Sequence, residues 1–576
     1  MLYSSNRNVR LFCELNRDWT VEQTWCVDLF FASDDRDADA MGPIEILGVL
    51  NPSIEGSCIK SVDGVLLRAN ISEDTGSDLA VSRAKRWIET CVGEHEECRS
   101  TIPRTCPTRL LYINGLEDAR LCTTSKFEAE NYACLSHCWG GRPVLETTTA
   151  TLQKYHDSIP WKDLPKTFQH AISFTYRLGI KYLWIDSLCI LQDSAIDWQH
   201  EGSRMASIYE GAYVTLAASE SPNAHAGCFR KTLDRSNSYC FQFEDSSGND
   251  FAIYTRSVLQ HHKEDTLMEV VLLQRPWTYQ ERLLSPRIIH FLDEELWFEC
   301  RESTQCECSR RTLLDESRRK PDIRKLLQNS TSPRDLQIRW QDTIMEYSKK
   351  ACNLTFPEDL FPAIQGLAKL MPQASGRYLA GHWEARLASS LLWLVTPVEN
   401  SHLTKAIKWR APSWSWASAM GWISWHPRAA VVCDADVRFT VISAKTVPKG
   451  SDPTGQSISG ELVLKGTCIR GKVRCRDLDD PKIDAEYIDC TPPWSNGTRW
   501  DRPVGKHHLD GLNVILLSLH VNDDGTHTRM VLKKAHGQDD VYVRIGFFVE
   551  LYEEGRSRES HLDEIHNEEQ ITVTIV

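Results

Sequence analysis

Between residues 131 and 292 the hydrophobic positions switch repeatedly between two periods. Residues 132–136 (YACLS) are a short apolar run closed by Trp139-Gly140-Gly141, which predicts a buried strand. Phe168, Ala171, Ile172, Thr175 and Leu178 then recur at helical spacing. Leu164-Pro165 stands at the entry of this helix and Gly179 at its exit, where the first-turn proline and the terminal glycine of a helix belong. The run 181–191 (KYLWIDSLCIL) is apolar almost throughout and predicts a strand buried on both faces. A second helix is expected over 195–210, with Trp198, Met205, Ile208, Tyr209 and Ala212 inward, and 213–218 (YVTLAA) as the next strand. A further helix over 278–284 stops before Pro286 and is followed by a strand at 287–292 (RIIHFL). Strands alternating with helices are the signature of an open parallel α/β sheet.

Outside this region the pattern is less regular. Residues 1–80 alternate short apolar runs with acidic, Gly- and Ser-bearing turns and read as a β-containing lead-in, followed by a helix over 79–92 with Trp87, Ile88 and Cys91 on one face. Residues 301–335 read as a polar linker or exposed helical segment; helices are expected at 333–350, 358–371 and 378–394, ending in the Trp-rich block 409–416. From 426 onward, alternating runs such as 437–442, 514–519 and 541–548 predict a mainly β portion. The domain organisation expected is therefore a lead-in (1–80), a helix and loop (81–130), the α/β domain (131–300), a helical middle region (301–425) and a β portion (426–576).

Composition narrows the function class. The 576 residues carry 66 Lys+Arg against 79 Asp+Glu, a net charge of −13, which argues against a dedicated nucleic-acid binder needing clustered cations. Eight acids against two bases fall in 550–569, an acidic tail that leaves the body nearly balanced. No secretory h-region opens the chain, and no apolar run approaches the about 20 residues of a membrane span, so a cytoplasmic protein is expected. The 20 cysteines then read as buried thiols. Cys300, Cys306 and Cys308 lack paired knuckle spacing, and Cys91 and Cys98 read as isolated from partners, so no metal site is expected.

In an open parallel sheet the ligand crevice lies beyond the carboxyl ends of the strands. Ser136, His137 and Trp139 follow the first strand; Asp186, Gln192 and Asp193 lie in or after the second; Ser219, Glu220 and Ser221 follow the third. The helix near Trp277 adds Gln280, Glu281 and Arg282. Asp186, inside an apolar run, is either functional or a structural anchor. Trp139 is either packing or a stacking platform, His137 a loop histidine, and Cys189 an inert core thiol.

Four blocks, YACLSHCWGG (132–141), LPKTFQHAISFTYRLGIKYLWIDSLCILQD (164–193), MASIYEGAYVTLAAS (205–219) and RPWTYQERLLSPRIIHF (275–291), resemble in order those of the heterokaryon-incompatibility (HET) domain of filamentous fungi. RAKRWIETCVGEHEEC (83–98), YLAGHWEARLASSLLW (378–393), APSWSWAS (411–418) and VYVRIGFF (541–548) resemble flanking blocks of large HET proteins. The resemblance implies a role in non-self recognition, in which fusion of unlike hyphae triggers growth arrest and cell death. It also implies a distant similarity to Toll/interleukin receptor (TIR) domains, with their flavodoxin-like parallel sheet. Several TIR domains cleave NAD with a glutamate at W-x-x-x-E, a spacing reproduced by Trp277 to Glu281 behind an insertion over 220–274. Two readings stay open: a signalling domain that self-associates or recruits protein partners, or an NAD glycohydrolase with Glu281 as catalytic carboxylate. In the second, Ser136, Trp139, Asp186, Gln192, Asp193, Trp277 and Arg282 would contact the nucleotide. No cofactor is implied, NAD entering only as a substrate.

Overall fold

The computed structural model describes residues 71–99, 106–124, 131–141, 143–231, 270–308, 320, 322–330, 332–351, 354–396, 409–425, 437–477, 512–521, 527–535, 540–550 and 569–576. It also describes the strands at 10–17, 25–32, 44–50, 58–59, 238–244, 250–257, 480–485 and 497–500. Residues 551–568 of the acidic tail and 33–43 of the lead-in lie outside these residues, whereas the acidic turn at 73–78 lies within them. The chain divides into two compact units, Met1–Gln274 with Glu281–Asp322, and Arg275–Gln280 with Ile323–Val576.

In the first unit, four strands form the centre of an eight-stranded sheet: β1 (Tyr132–Ser136), β2 (Tyr182–Trp184), β3 (Val214–Ala217) and β4 (Arg287–Phe291). They are mutually parallel and lie in the order β2-β1-β3-β4, with Cys134 opposite both Trp184 and Thr215. Every residue of β1, β3 and β4 is buried, as strands covered on both faces require. The sheet is mixed rather than purely parallel. Arg109–Gly115 pairs antiparallel with β2, and Leu296–Cys300 pairs antiparallel with β4. Hairpin partners, Asp118–Thr123 and Thr304–Cys306, finish its two edges.

Lys166–Arg177 connects β1 to β2 and buries Phe168, Ala171, Ile172, Phe174 and Thr175, the stripe the spacing predicts. Each of its large apolar side chains contributes about 2 kcal/mol of burial. The expected strand over 181–191 ends early: after Trp184 the chain turns into a one-turn helix, Asp186–Cys189. The cause is local, because the Asp186 carboxylate accepts the Ser187 amide at 2.7 Å and the Cys189 amide donates to the Ile185 carbonyl at 2.7 Å. Buried Arg109 then fixes the turn by donating to the Cys189 carbonyl at 2.8 Å and pairing with Asp197. Ala195–Gly211, capped by Ser194, buries Met205, Ile208 and Tyr209. Trp198, expected inward, is 37% exposed, its ring lying along its own helix near Gly202.

The lead-in forms an antiparallel sheet of Arg10–Arg17, Trp25–Ala32 and Ile44–Leu50, with Cys58–Ile59 at Ile44–Leu50. The insertion between β3 and β4 contributes the hairpin Ser238–Glu244 and Asp250–Ser257, whose second strand pairs with Ile44–Leu50. Asp78–Glu94 is a helix capped by Ser77; Trp87, Ile88 and Cys91 are buried on its inner face, with Trp87 stacked on Phe298 at 6.0 Å. The polar segment read at 301–335 is partly built in: Cys306 and Cys308 are buried, and the segment 309–319 lies outside the described residues.

In the second unit the helix Pro333–Ala351 buries Leu336, Trp340, Ile344 and Tyr347. The helix expected over 358–371 is reduced to a turn, Pro357–Asp359, and Gln365–Ala368. That expected over 378–394 is instead a tight hairpin, Tyr378–Leu379 with His382–Trp383, a short helix Leu387–Ser390 and the strand Trp393–Thr396. Positive φ at Ala380 (46°) and Gly381 (97°) breaks the helical path there. The portion from 437 on is β, as the alternation predicts. Ser457–Asp477, Asn513–Val521, His527–Lys534, Val541–Glu550 and Glu569–Ile575 pair in a closed circuit, which leaves none of these five as a free edge in that circuit. Arg544 joins this circuit to the Trp-rich block, lying 3.3 Å from the Trp393 ring centroid and donating to the carbonyls of Leu391 and Trp393 at 3.0 and 2.6 Å.

Candidate functional site

The carboxyl ends of the parallel strands bring four segments together in the first unit. Ser136 closes β1, and its hydroxyl donates to the Glu281 carboxylate at 2.5 Å. Glu281 lies on the helix Pro276–Leu284 and is buried, 6% exposed. Its charge reaches two further buried groups of this edge. Burial first, and Glu281 next, push the Tyr209 phenol well up; burial, then Cys189 and Glu281, do the same to the Cys134 thiol.

Beside this pair, the Trp139 indole N–H donates to Asp186 at 2.8 Å, and the Gln192 amide donates to the Asp186 backbone carbonyl at 3.2 Å. His137 Nδ1 stands 3.9 Å from the other Asp186 oxygen, its ring edge-on to Phe168. Asp186 thus anchors its own turn through Ser187 and holds the Trp139 loop. Asp193 is apart from this group: exposed, it accepts the Thr149 hydroxyl at 2.6 Å and the Thr149 amide at 2.9 Å, which hold its carboxyl below the ordinary range. Trp277 belongs to the second unit, where its indole donates to Asp359 at 3.2 Å. Cys189 is fully buried, and burial keeps its thiol protonated.

Arg282 opens a second network. It forms a two-pronged pair with Glu299, at 2.8 and 2.5 Å. Glu299 also faces His290 Nε2 at 3.3 Å, and His290 Nδ1 meets the Ser219 hydroxyl at 3.0 Å. Ser219, His290 and Glu299 are all buried. Burial alone would raise the Glu299 carboxyl, but Arg282 and His290 overcome it and hold it well below the usual range. The linear signals for this network are the single charged or polar residues inside the apolar strands RIIHF and LWFEC.

The cysteines are not isolated as expected. Cys91, His95, Cys98 and Cys300 place their ligand atoms within 4.8 Å of one another, all four buried. The missed signal is the run Cys91-x3-His95-x2-Cys98, which places three donors at the end of one helix and mixes His with Cys. A smaller group, Glu295, Cys306 and Cys308, also converges.

These features define an α/β protein whose polar groups gather at the carboxyl edge of a parallel core. Residues 132–281 match the family model described as Heterokaryon incompatibility protein (HET), so the chain carries a HET domain, and that domain points to involvement in heterokaryon incompatibility. No curated protein and no solved structure matches the chain. Among the described residues, no helix is long and apolar enough to cross a membrane.

Proposed function

We propose that this protein is an effector of fungal heterokaryon incompatibility, a cytoplasmic component of non-self recognition and programmed cell death, whose HET domain works by self-association or by recruiting protein partners. The observation that carries this reading is the family match over 132–281 on a domain whose strand-end polar groups are engaged with one another: Ser136 with Glu281, Trp139 with Asp186, Arg282 with Glu299. Such an edge is suited to holding a fixed surface for a partner. The order β2-β1-β3-β4 coincides with the start of the flavodoxin-like order 2-1-3-4-5 and supports the TIR-like reading.

A second reading has its own observation. Glu281 meets Ser136 at the end of β1, beside β3, which is where the order of a doubly wound sheet reverses and ligands bind. A carboxylate there can stabilise the oxocarbenium-like state of ribosyl–nicotinamide cleavage, nicotinamide leaving without a second acid. In that version Trp139 stacks on an aromatic ring and Asp186 fixes sugar hydroxyls.

The two are separated by expressing the full chain in a fungal host and following viability and NAD for wild type and Glu281→Gln at matched protein levels. Growth arrest with unchanged NAD in both forms is expected of a signalling domain. NAD loss in wild type, abolished with toxicity in a folded Glu281→Gln, would replace it by the enzymatic reading. A wild-type chain that neither arrests growth nor associates with itself or other proteins would sink the proposal.

A further inference from the structure

The opposite edge of β4 holds a constellation that the HET reading does not use. Cys300 ends the strand Leu296–Cys300 and lies across from Arg287, the first residue of β4. Facing it is the end of the helix Asp78–Glu94: Cys91 in the last turn, His95 as the C-cap, and Cys98 in the turn that follows. Cys91, Cys98 and Cys300 are at most 1% exposed and His95 is 8% exposed. His95 Nδ1 is 3.3 Å from Cys300 Sγ across 205 residues of sequence.

We propose that Cys91, His95, Cys98 and Cys300 bind one Zn²⁺ as a closed, structural Cys3His site that fastens the helix Asp78–Glu94 to the strand Leu296–Cys300. Four observations carry this. The donor set is one that Zn²⁺ prefers, and its number fills a tetrahedron, leaving no position open for substrate. Ligand separations under 4.8 Å allow a common centre, since Zn–S near 2.3 Å and Zn–N near 2.0 Å place tetrahedral ligands about 3.5 Å apart.

Thiolate support is already built in. The Ser303 amide donates to Cys300 Sγ at 3.2 Å, and the Ser303 hydroxyl lies 3.4 Å from it, the outer contacts that a metal-bound sulfur needs. With three thiolates and one divalent ion the site carries one net negative charge, and cations surround it. Arg287 donates to the Cys98 carbonyl at 3.2 Å, which brings its guanidinium to the site. Lys320 is buried, and burial draws its ammonium down to about 8 against the pull of Glu299 and Cys300. Binding of Zn²⁺ to the three cysteines as thiolates releases their thiol protons to solvent.

The neighbouring Glu295, Cys306 and Cys308 group is not equivalent. It offers three donors, and Glu295 already accepts from the Cys308 amide at 2.7 Å and the Trp297 indole at 3.2 Å. That difference supplies an internal control.

The full chain, purified without chelator under reducing conditions, is analysed for zinc by mass spectrometry and reconstituted with Co²⁺. About one zinc per chain and the visible absorption of tetrahedral thiolate-bound cobalt are expected. Cys300→Ser should remove both, and the double substitution Cys306→Ser/Cys308→Ser should leave both unchanged. If Cys300→Ser fails to fold, His95→Cys gives the second test: it should retain zinc and shift the cobalt spectrum toward that of four thiolates. Zinc at background in the reconstituted wild type, zinc retained by a folded Cys300→Ser, zinc lost from a folded His95→Cys, or a disulfide among Cys91, Cys98 and Cys300 in the reduced protein would each overturn the assignment.

Discussion

Removing Arg282 while leaving Glu299 in place isolates the cost of an unpaired charge in the eight-stranded sheet. In Arg282→Met the methionine keeps much of the packing volume, but both hydrogen bonds to Glu299 go, and that carboxylate is only 2% exposed. Breaking a buried pair by deleting one partner typically costs 3–5 kcal/mol, and because Arg282 itself is 25% exposed the lower end, about 3 kcal/mol, is expected. The pH dependence has a definite sign. The folded-state Glu299 lies below the usual value near 4.5, so its stabilisation is complete above that pH and is lost as the pH falls below it. In Arg282→Met the dominant remaining influence is burial, which raises the carboxyl, so the deficit should shrink between pH 7 and pH 5 as the acid takes up its proton. Amide hydrogen exchange of peptides covering β4 and Leu296–Cys300 reads the sheet directly. After correction for the intrinsic rate, exchange should be about a hundredfold faster than wild type at pH 7 and less so at pH 5. The double substitution Arg282→Met/Glu299→Met should recover part of the protection, since it removes the unpaired charge while leaving buried His290 without its Glu299 partner. A cost under about 0.5 kcal/mol for Arg282→Met, or a double variant worse than either single one, would refute the account.

Two further outcomes concern the second unit. Gly381→Ala drives a Cβ into the Trp416 indole nitrogen at a φ of 97°, where an L side chain is strained; a loss of about 2 kcal/mol or more is expected, read as a lower urea midpoint and a shifted tryptophan emission. His382 is buried, and burial with the nearby Arg544 lowers its imidazole from 6.5 to about 3, so it folds neutral. Stability contributed this way is present above pH 6.5 and falls by about 1.4 kcal/mol per pH unit toward pH 3; His382→Asn should flatten the acid limb of a stability-against-pH curve, and an unchanged limb would count against it.

The fold was legible wherever local pattern and final environment agree. β1 and the helix Lys166–Arg177 follow directly from apolar runs and helical spacing because both are buried along the faces that the spacing marks. The failures have local causes. The apolar run 181–191 looks like one strand, yet Asp186 supplies a side-chain acceptor to the next amide and starts a turn that Arg109, 80 residues away from Cys189, completes. In 378–394 the apolar content resembles a helix, but a left-handed backbone at Ala380 and Gly381 lets Trp416 and Trp340 donate to the Gly381 carbonyl, at 2.9 and 2.8 Å. Tertiary hydrogen bonds override intrinsic preference there.

Site residues divide along the same line. The strand-end rule places Ser136, Trp139 and Asp186 near one edge without any knowledge of their partners, because it depends only on chain direction in a parallel sheet. Which groups meet is a different matter. Ser136 reaches Glu281 across 145 residues, and His95 reaches Cys300 across 205; no periodicity carries information over such spans. What the chain does display locally is the half of each pairing that is costly alone: a carboxylate in LWFEC, a histidine in RIIHF, two cysteines and a histidine at one helix end. A buried polar group must find a partner or lose more than a typical hydrogen bond contributes. Polar residues stranded in apolar elements therefore announce a long-range partner before its identity is known, and in this chain they lead to the Glu299 network and the Cys3His cluster alike.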